Sequence, residues 1–344
     1  MDRQRVVELF SEVTTWRRRG ERAPHKPLLL LLALARVGQP DGRWLAFREV
    51  DRPMRRLLAE FGPSRASYHS DYPYGRLRND GLWEFDADYD LRLGESNADP
   101  KKSDLVAQDV RAGFPDPIYE RLRSDRGLVR DVALRLLHGH FPETMHEDIL
   151  PAVRLALDPA APSAGRPPRA PRFREQVLGA YERACAVCGF DVMLEDTTVG
   201  LDAAHIKWHQ AGGPAEVSNG LCLCVLHHKL FDRGVFTLDD RHRVIVSERS
   251  RGHRGFREWL MVHHGEVGGE PVRGGYGPAD EFLGWHRKWV FREPGRQVEW
   301  VHATCARTHG PAPRRRFLRR IPQPTRLRAD DTGAGSYTCR SRGL

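Results

Sequence analysis

The sequence predicts an α+β protein in two halves: a mainly helical first half with a small β element, and a second half whose strands and helices surround paired Cys and His residues. Three observations carry that prediction. Residues 158–171 are rich in Pro and Ala and nearly free of large apolar side chains, the composition of an extended connector. Before them, apolar residues recur at helical spacing over several segments. After them, Cys185-x2-Cys188 and Cys224-x2-His227 bracket strand-like runs.

In the first half, residues 5–16 place apolar side chains on one helical face, and Pro27 opens a second apolar run at 28–35, where the first turn of a helix tolerates a missing N–H. Residues 28–34 are assigned to the core. The short pieces 44–47 and 82–85 are expected strands, while 104–110 and 128–138 return to helical periodicity. In the second half, 173–183 reads as a helix, 199–206 as a strand and 224–231 as a helix. A hairpin is expected from 235–238 and 243–247 across Asp239 and Asp240, with a closing helix at 281–291. The last forty residues are rich in Arg and Pro without apolar periodicity, and disorder is expected there. The expected domains are residues 1–158, a linker at 159–171, a second domain at 172–304 and a basic tail at 305–344.

The 344 residues carry 55 Lys and Arg against 46 Asp and Glu, a formal net charge of +9 that suits a polyanionic partner. The tail holds ten Arg against two Asp, whereas residues 1–304 hold 45 basic and 44 acidic side chains. Residues 1–158 are neutral in total, yet +7 over 1–78 and −7 over 79–158, so the acidic part is expected to face away from a nucleic-acid partner. No apolar run approaches the ~20 residues of a membrane span. The N-terminus lacks the apolar stretch and cleavage site of a secretory signal, so the protein is expected in the cytoplasm.

Cys185, Cys188, Cys224 and His227 have the paired spacing of a tetrahedral structural zinc site. Six cysteines in 344 residues are too sparse for a disulfide framework, and Cys222, off the ligand spacing, is assigned to the core. Between the ligand pairs lie Asp202-Ala203-Ala204-His205 and Asn219-Gly220-Leu221, and the second pair runs on as His227-His228-Lys229-Leu230-Phe231-Asp232. Over residues 181–247 this order resembles the zinc-containing, McrA-like branch of the HNH endonucleases.

The resemblance implies a ββα-metal nuclease domain with a zinc knuckle. Phosphodiester cleavage needs a base for water, a cation to stabilise charge on the transition state and leaving oxygen, and rigid positioning. His205, at a strand end and with an ordinary pKa near neutrality, is the expected general base. By resemblance, Asp202 and His228 would hold one divalent ion, Mg2+ or Mn2+, and Asn219 would tie down the loop that orients His205. His227 and His228 project about 100° apart on a helix, so one can face zinc and the other the catalytic ion. Many HNH sequences carry the metal-binding acid immediately before the base, where this chain has Ala204; on a strand, Asp202 shares a face with that position.

Two segments of the first half stand out: Pro24-His25-Lys26-Pro27, and residues 68–83 with Tyr72-Pro73-Tyr74-Gly75-Arg76-Leu77-Arg78-Asn79 at their centre. Together they resemble the sulfur-binding domain of restriction enzymes that target phosphorothioated DNA, and the domain order fits that type IV group. The resemblance implies a pocket that is apolar around sulfur and cationic around the remaining charge. Tyr72, Pro73 and Gly75 would wall it, with Tyr74 in the same segment, and His25, Lys26, Arg76 and Arg78 would supply donors. Asn79, His69 and Ser70 are candidates for base reading.

The expected function is a modification-dependent DNA endonuclease that binds double-stranded phosphorothioated DNA and, as a homodimer, cuts both strands nearby. A linker of about 14 residues in polyproline conformation spans up to ~40 Å, so cleavage is expected to be displaced from the mark. Other readings stay open: a nuclease dependent on methylated cytosine, which would need an aromatic cage for a flipped base; a non-catalytic DNA-binding regulator; and a homing nuclease of a mobile element.

Overall fold

Apolar side chains at helical spacing in the first half close on one another around a shared core. Residues 1–13, 24–92, 99–157, 171–272 and 277–298 are described by the structure, a computed structural model. The expected linker, except Pro171, and the basic tail lie outside the described residues. Helix α1 (Arg3–Ser11) starts at Asp2, whose carboxylate accepts from the Arg5 amide, and buries Val6, Val7 and Phe10. Helix α2 (His25–Leu34) is apolar nearly all round, as befits a helix through the middle of a domain. Strand β1 (Leu45–Ala46) leads directly into α3 (Phe47–Phe61), whose buried stripe is Phe47, Val50, Met54, Leu57, Leu58 and Phe61.

Helix α4 (Asp71–Arg76) runs into a 3₁₀ turn at Leu77–Asp80 that Gly81 closes in the left-handed region, φ 68°. Strand β2 (Glu84–Phe85), helix α5 (Lys102–Ala107) and strand β3 (Arg111–Gly113) follow. β3 lies between β1 and β2, antiparallel to both. Helices α6 (Asp116–Ser124), α7 (Arg126–His140) and α8 (Glu143–Ala152) complete this half, with α7 against α1 and α2.

The second half begins with α9 (Pro171–Ala180) and a small hairpin of β4 (Met193–Leu194) and β5 (Thr197–Thr198). Strands β6 (Leu201–His205) and β7 (Gly220–Cys224) pair antiparallel, with His205 opposite Gly220 and Asp202 opposite Leu223. Helix α10 (Val225–Asp232) continues from β7 without a break, which completes the ββα unit. The hairpin of β8 (Phe236–Leu238) and β9 (Val244–Val246), then α11 (Arg254–Trp259) and α12 (Asp280–Trp289), pack around it. The fold is thus α+β, mainly helical first and ββα second.

Residues 1–299 form one compact unit. Trp208, Trp285, Trp289 and Val290 of the second half join the core of the first. Arg292 donates to the carbonyls of Ala59 at 3.1 Å and Glu60 at 2.6 Å, in the last turn of α3, where the helix dipole favours a cation. Arg233 pairs with the Glu60 carboxylate at 3.0 Å, and its guanidinium lies over the Phe61 ring.

One expectation is corrected. The acidic part of the first half does not face away from the basic part: Lys26 pairs with Asp80 at 2.6 Å, Arg76 with Asp99 at 2.5 Å and Arg43 with Glu84 at 2.7 Å. Charge divided along a sequence is remixed when distant segments pack, because each buried or half-buried ion draws in a partner of opposite sign. Among the described residues no helix is long and apolar enough to cross a membrane.

Candidate functional site

Two places gather the chemistry-bearing residues. In the second half, α9 lies across β6 and β7 so closely that a Cβ on Gly220 would meet Val177 Cγ2 at 2.4 Å, which reserves the position for glycine. The same approach stacks the Phe173 ring on the imidazole of His205, 4.1 Å between centroids. Burial, with smaller contributions from His209 and His228, pushes His205 down to about 4, so its ring is neutral and in the base form near pH 7. Its Nε2 is shielded from solvent and has no hydrogen-bond partner among the described residues.

Asn219 is fully buried and sits where a loop anchor must. Its Oδ1 accepts from the Lys207 amide at 2.8 Å, and its Nδ2 donates to the carbonyls of Lys207 at 2.9 Å and Pro214 at 2.8 Å. The loop that leaves His205 is therefore tied to the strand that faces it.

Asp202 Oδ2 lies 3.5 Å from Nδ1 of His228, so β6 and α10 bring an acid and an imidazole together. Ala204 is fully buried. Nε2 of His228 faces Asp232 Oδ2 at 3.3 Å. Burial disfavours charge on His228, but Asp232 and Asp202 outweigh it and push the ring up to about 10. Two carboxylates beside one imidazole give the site an acidic character that suits a divalent cation. An oxygen and a nitrogen donor at this spacing fit a hard or borderline ion.

The Cys185, Cys188, Cys224 and His227 ligand atoms all lie within 4.8 Å of one another. Cys224 Sγ is 3.2 Å and Cys185 Sγ 3.7 Å from His227 Nδ1, and Cys188 Sγ is 3.9 Å from Cys224 Sγ. These are close to the edges of a tetrahedron with metal–ligand bonds of about 2.0–2.3 Å. Hydrogen bonds from Cys188 and Cys224 hold the Cys185 thiol far below its ordinary range, and that thiolate pushes Cys188 up. Three sulfurs and one imidazole nitrogen at this spacing are the donor set of a tetrahedral zinc site. Nε2 of His227 donates to the Trp259 carbonyl at 2.9 Å, which fixes the tautomer that leaves Nδ1 as the donor to a metal. Cys222 is buried in the core, its thiol pushed up to about 12 by burial.

In the first half, α4 presents Tyr72 to solvent at 37% exposure. The His69 ring stacks on it, 4.5 Å and 7° between planes, and the Arg76 guanidinium lies over the same ring at 5.0 Å. Arg76 is itself held by Asp99, from Nε at 2.9 Å and Nη2 at 2.5 Å. Arg78 and Asn79 are exposed on the next turn, with Arg78 over the Phe85 ring at 4.5 Å. His25 and Lys26 open α2, which packs against α4.

Tyr74 is completely buried, its hydroxyl donating to the Leu45 and Val110 carbonyls. Pro73 is also buried, and Gly75 packs so tightly on Pro100 that a Cβ would sit 2.7 Å from its Cδ. Ser70 is buried too, its hydroxyl donating to Asp51.

Sequence reasoning gave no role to Asp232 or Thr144. Asp232 was within reach of it, since His228 and Asp232 stand four apart on one helix. Thr144, 88 residues from Asp232, left no sequence signal.

Residues 3–158 match the family model described as ScoMcrA-like, DNA sulfur-binding domain, and residues 185–239 match that of HNH endonucleases. A search of curated proteins gave no match. Similar solved structures include the sulfur binding domain of ScoMcrA complexed with phosphorothioated DNA, at 25% identity and TM-score 0.37, covering 42% of this chain and 93% of that one. The sulfur binding domain of SprMcrA in such a complex is 22% identical, TM-score 0.37, covering 45% of this chain and 95% of that one. The type IV phosphorothioation-dependent restriction endonuclease ScoMcrA is 24% identical, TM-score 0.35, over 42% of this chain and 27% of that one. The chain thus joins a segment similar to the ScoMcrA-like DNA sulfur-binding domain, residues 3–158, to one similar to the HNH endonucleases, residues 185–239.

Proposed function

We propose that the protein is a type IV, modification-dependent restriction endonuclease: its first half binds double-stranded DNA carrying a phosphorothioate, and its second half hydrolyses phosphodiester bonds near that mark. One observation carries the reading. A neutral His205, the Asp202–His228 pair and the loop anchor Asn219 converge on one ββα unit, in a chain whose first half is similar to a sulfur-binding domain.

His205 removes a proton from the attacking water, and its low pKa keeps it ready to do so near pH 7. Asp202 and His228 would hold a divalent ion, Mg2+ or Mn2+, which would supply charge stabilisation for the transition state and the leaving oxygen. Asn219 keeps the His205 loop from drifting. Cys185, Cys188, Cys224 and His227 would hold zinc, which would supply a structural cross-link between the start of α10 and the 185–188 turn beside His228.

In the reader, the exposed Tyr72 between His69 and Arg76 offers an apolar wall beside a cation, and Pro73 and Gly75 follow on the same helix. His25, Lys26, Arg78 and Asn79 lie on the neighbouring turns. Tyr74 supports this face from the core. Sulfur is less strongly hydrated than oxygen, and an oxygen desolvated there without a donor costs about 1–3 kcal/mol, or roughly 10- to 200-fold in affinity. Action on both strands favours a homodimer, and the DNA substrate favours the cytoplasm.

The test is incubation of the purified protein with phosphorothioated and matched plain duplexes, with Mn2+ and with chelator. Selective, metal-dependent cutting of the modified duplex is expected. His205→Ala should lower cleavage by about 10²- to 10⁴-fold while zinc content and DNA binding stay as they are. Equal cutting of both duplexes would remove the dependence on the mark, and full activity in the alanine variant would remove the base.

A further inference from the structure

We propose that Thr144, a side chain of the reader half, is a positioning residue for the nuclease site: its hydroxyl holds Asp232, and Asp232 fixes the ring of His228. The inference rests on the nuclease reading above. Asp232 ends α10 and is 2% exposed. Its Oδ2 accepts from Thr144 Oγ1 at 2.5 Å and lies 3.3 Å from His228 Nε2. The other ring nitrogen of His228 lies 3.5 Å from Asp202. The imidazole is therefore spanned, with one nitrogen beside the acid that would share its cation and the other beside Asp232.

A histidine that gives one nitrogen to a metal ordinarily donates its other N–H to a carboxylate, which orients the ring and raises its basicity. Asp232 is placed for that role. The oxygen that faces the ring is the same one that the Thr144 hydroxyl holds, so the hydroxyl sets where the buried carboxylate points. Thr144 lies in the first turn of α8, on the other half of the molecule. The same helix meets α10 again where Asp148 pairs with Lys229 at 3.2 Å. The metal site of the nuclease is thus complete only with the reader half docked on α10.

The test is Mn2+ binding to the full-length, zinc-loaded protein, read from the loss of the free-ion EPR signal, alongside the Mn2+ needed for half-maximal cleavage. Asp202→Ala identifies the binding that belongs to this site. Thr144→Val keeps the shape of the side chain and removes the hydroxyl; it should weaken Mn2+ binding by roughly tenfold, the low end of the loss on removing an outer-shell partner of a metal ligand. Thr144→Ala, a smaller side chain, carries the same expectation should the valine variant misfold. Thr144→Ser should restore binding, and Asp148→Asn, which breaks the neighbouring ion pair, should leave it unchanged. Wild-type Mn2+ binding in both the valine and alanine variants would overturn the inference. So would an equal loss in Asp148→Asn, which would assign the effect to docking in general. A protein that binds Mn2+ here but cuts no DNA would overturn the nuclease reading, while the binding comparison would still decide this one.

Discussion

Tyr72 and Tyr74 are two residues apart on α4, about 200° around the helix, and that angle separates their roles. Tyr72 faces solvent between His69 and Arg76, and Tyr74 faces the core. Tyr72→Ala should leave the thermal midpoint in place and weaken binding of phosphorothioated DNA on the order of tenfold, the equivalent of about 1.4 kcal/mol of lost contact. Tyr74→Phe should do the reverse, costing about 1–3 kcal/mol of stability because the Leu45 and Val110 carbonyls lose their shared donor. Calorimetry and competition binding on both variants check the pair, and a Tyr72 variant that binds as wild type would move the reader site off this face. In sequence the two tyrosines were one motif and only burial separates them. The gathering of Cys185, Cys188, Cys224 and His227 into one cluster that could hold a metal was legible outright, because a short spacing repeated in two places is itself the signal. Thr144 was not, because its role exists only across the packed interface.

At the scale of elements, α12 is latched to the ββα unit through a neutral histidine. His286 is fully buried, stacked on Phe231 at 3.7 Å, with Thr237 Oγ1 at 2.9 Å from its Nδ1 and the Phe231 carbonyl 3.1 Å from its Nε2. Burial pushes it down to about 4. The unfolded chain, with an ordinary histidine pKa near 6.5, binds the proton more readily, so this part of the stability is present above pH 6.5 and is lost as pH falls toward 4. About 2 kcal/mol of it should be gone by pH 5. Urea melts at pH 7 and pH 5 read the slope, and His286→Gln should flatten it; equal slopes in wild type and variant would assign the acid sensitivity to other groups.

The helical period of α12 was plain in the sequence, but other elements hid. Pro53 inside α3 masked a stripe whose spacing is otherwise helical. Pro73 and Gly75 gave α4 the look of a turn, although a proline in the first turn of a helix costs no hydrogen bond. β3 has three residues, and its pairing is set by two strands remote in sequence, so nothing local announced it.

Across the whole molecule, the distance from reader to nuclease is a property of an interface. A free 14-residue connector would let the halves separate by up to ~40 Å and scatter the cuts. In the structure, Trp208, Trp285, Trp289 and Val290 share the core of the first half, and Arg292 and Arg233 seize the last turn of α3. That turn is followed by residues 62–70, which lead into α4 and Tyr72, while Arg233 is the immediate neighbour of Asp232. On the function proposed above, the reading face and the cutting face are therefore held at a fixed separation, and cuts should fall in a narrow window from the modified phosphate. Arg292→Glu sets a carboxylate against the carbonyl end of α3 and beside Glu60, repulsive on both counts, while the cores within each half keep their residues. It should broaden the distribution of cut positions more than it lowers total cleavage, with Arg292→Lys between it and wild type. Sequencing the ends released from a duplex with a single phosphorothioate reads that distribution directly. A window as narrow in the glutamate variant as in wild type would mean that the interface does not set where the enzyme cuts.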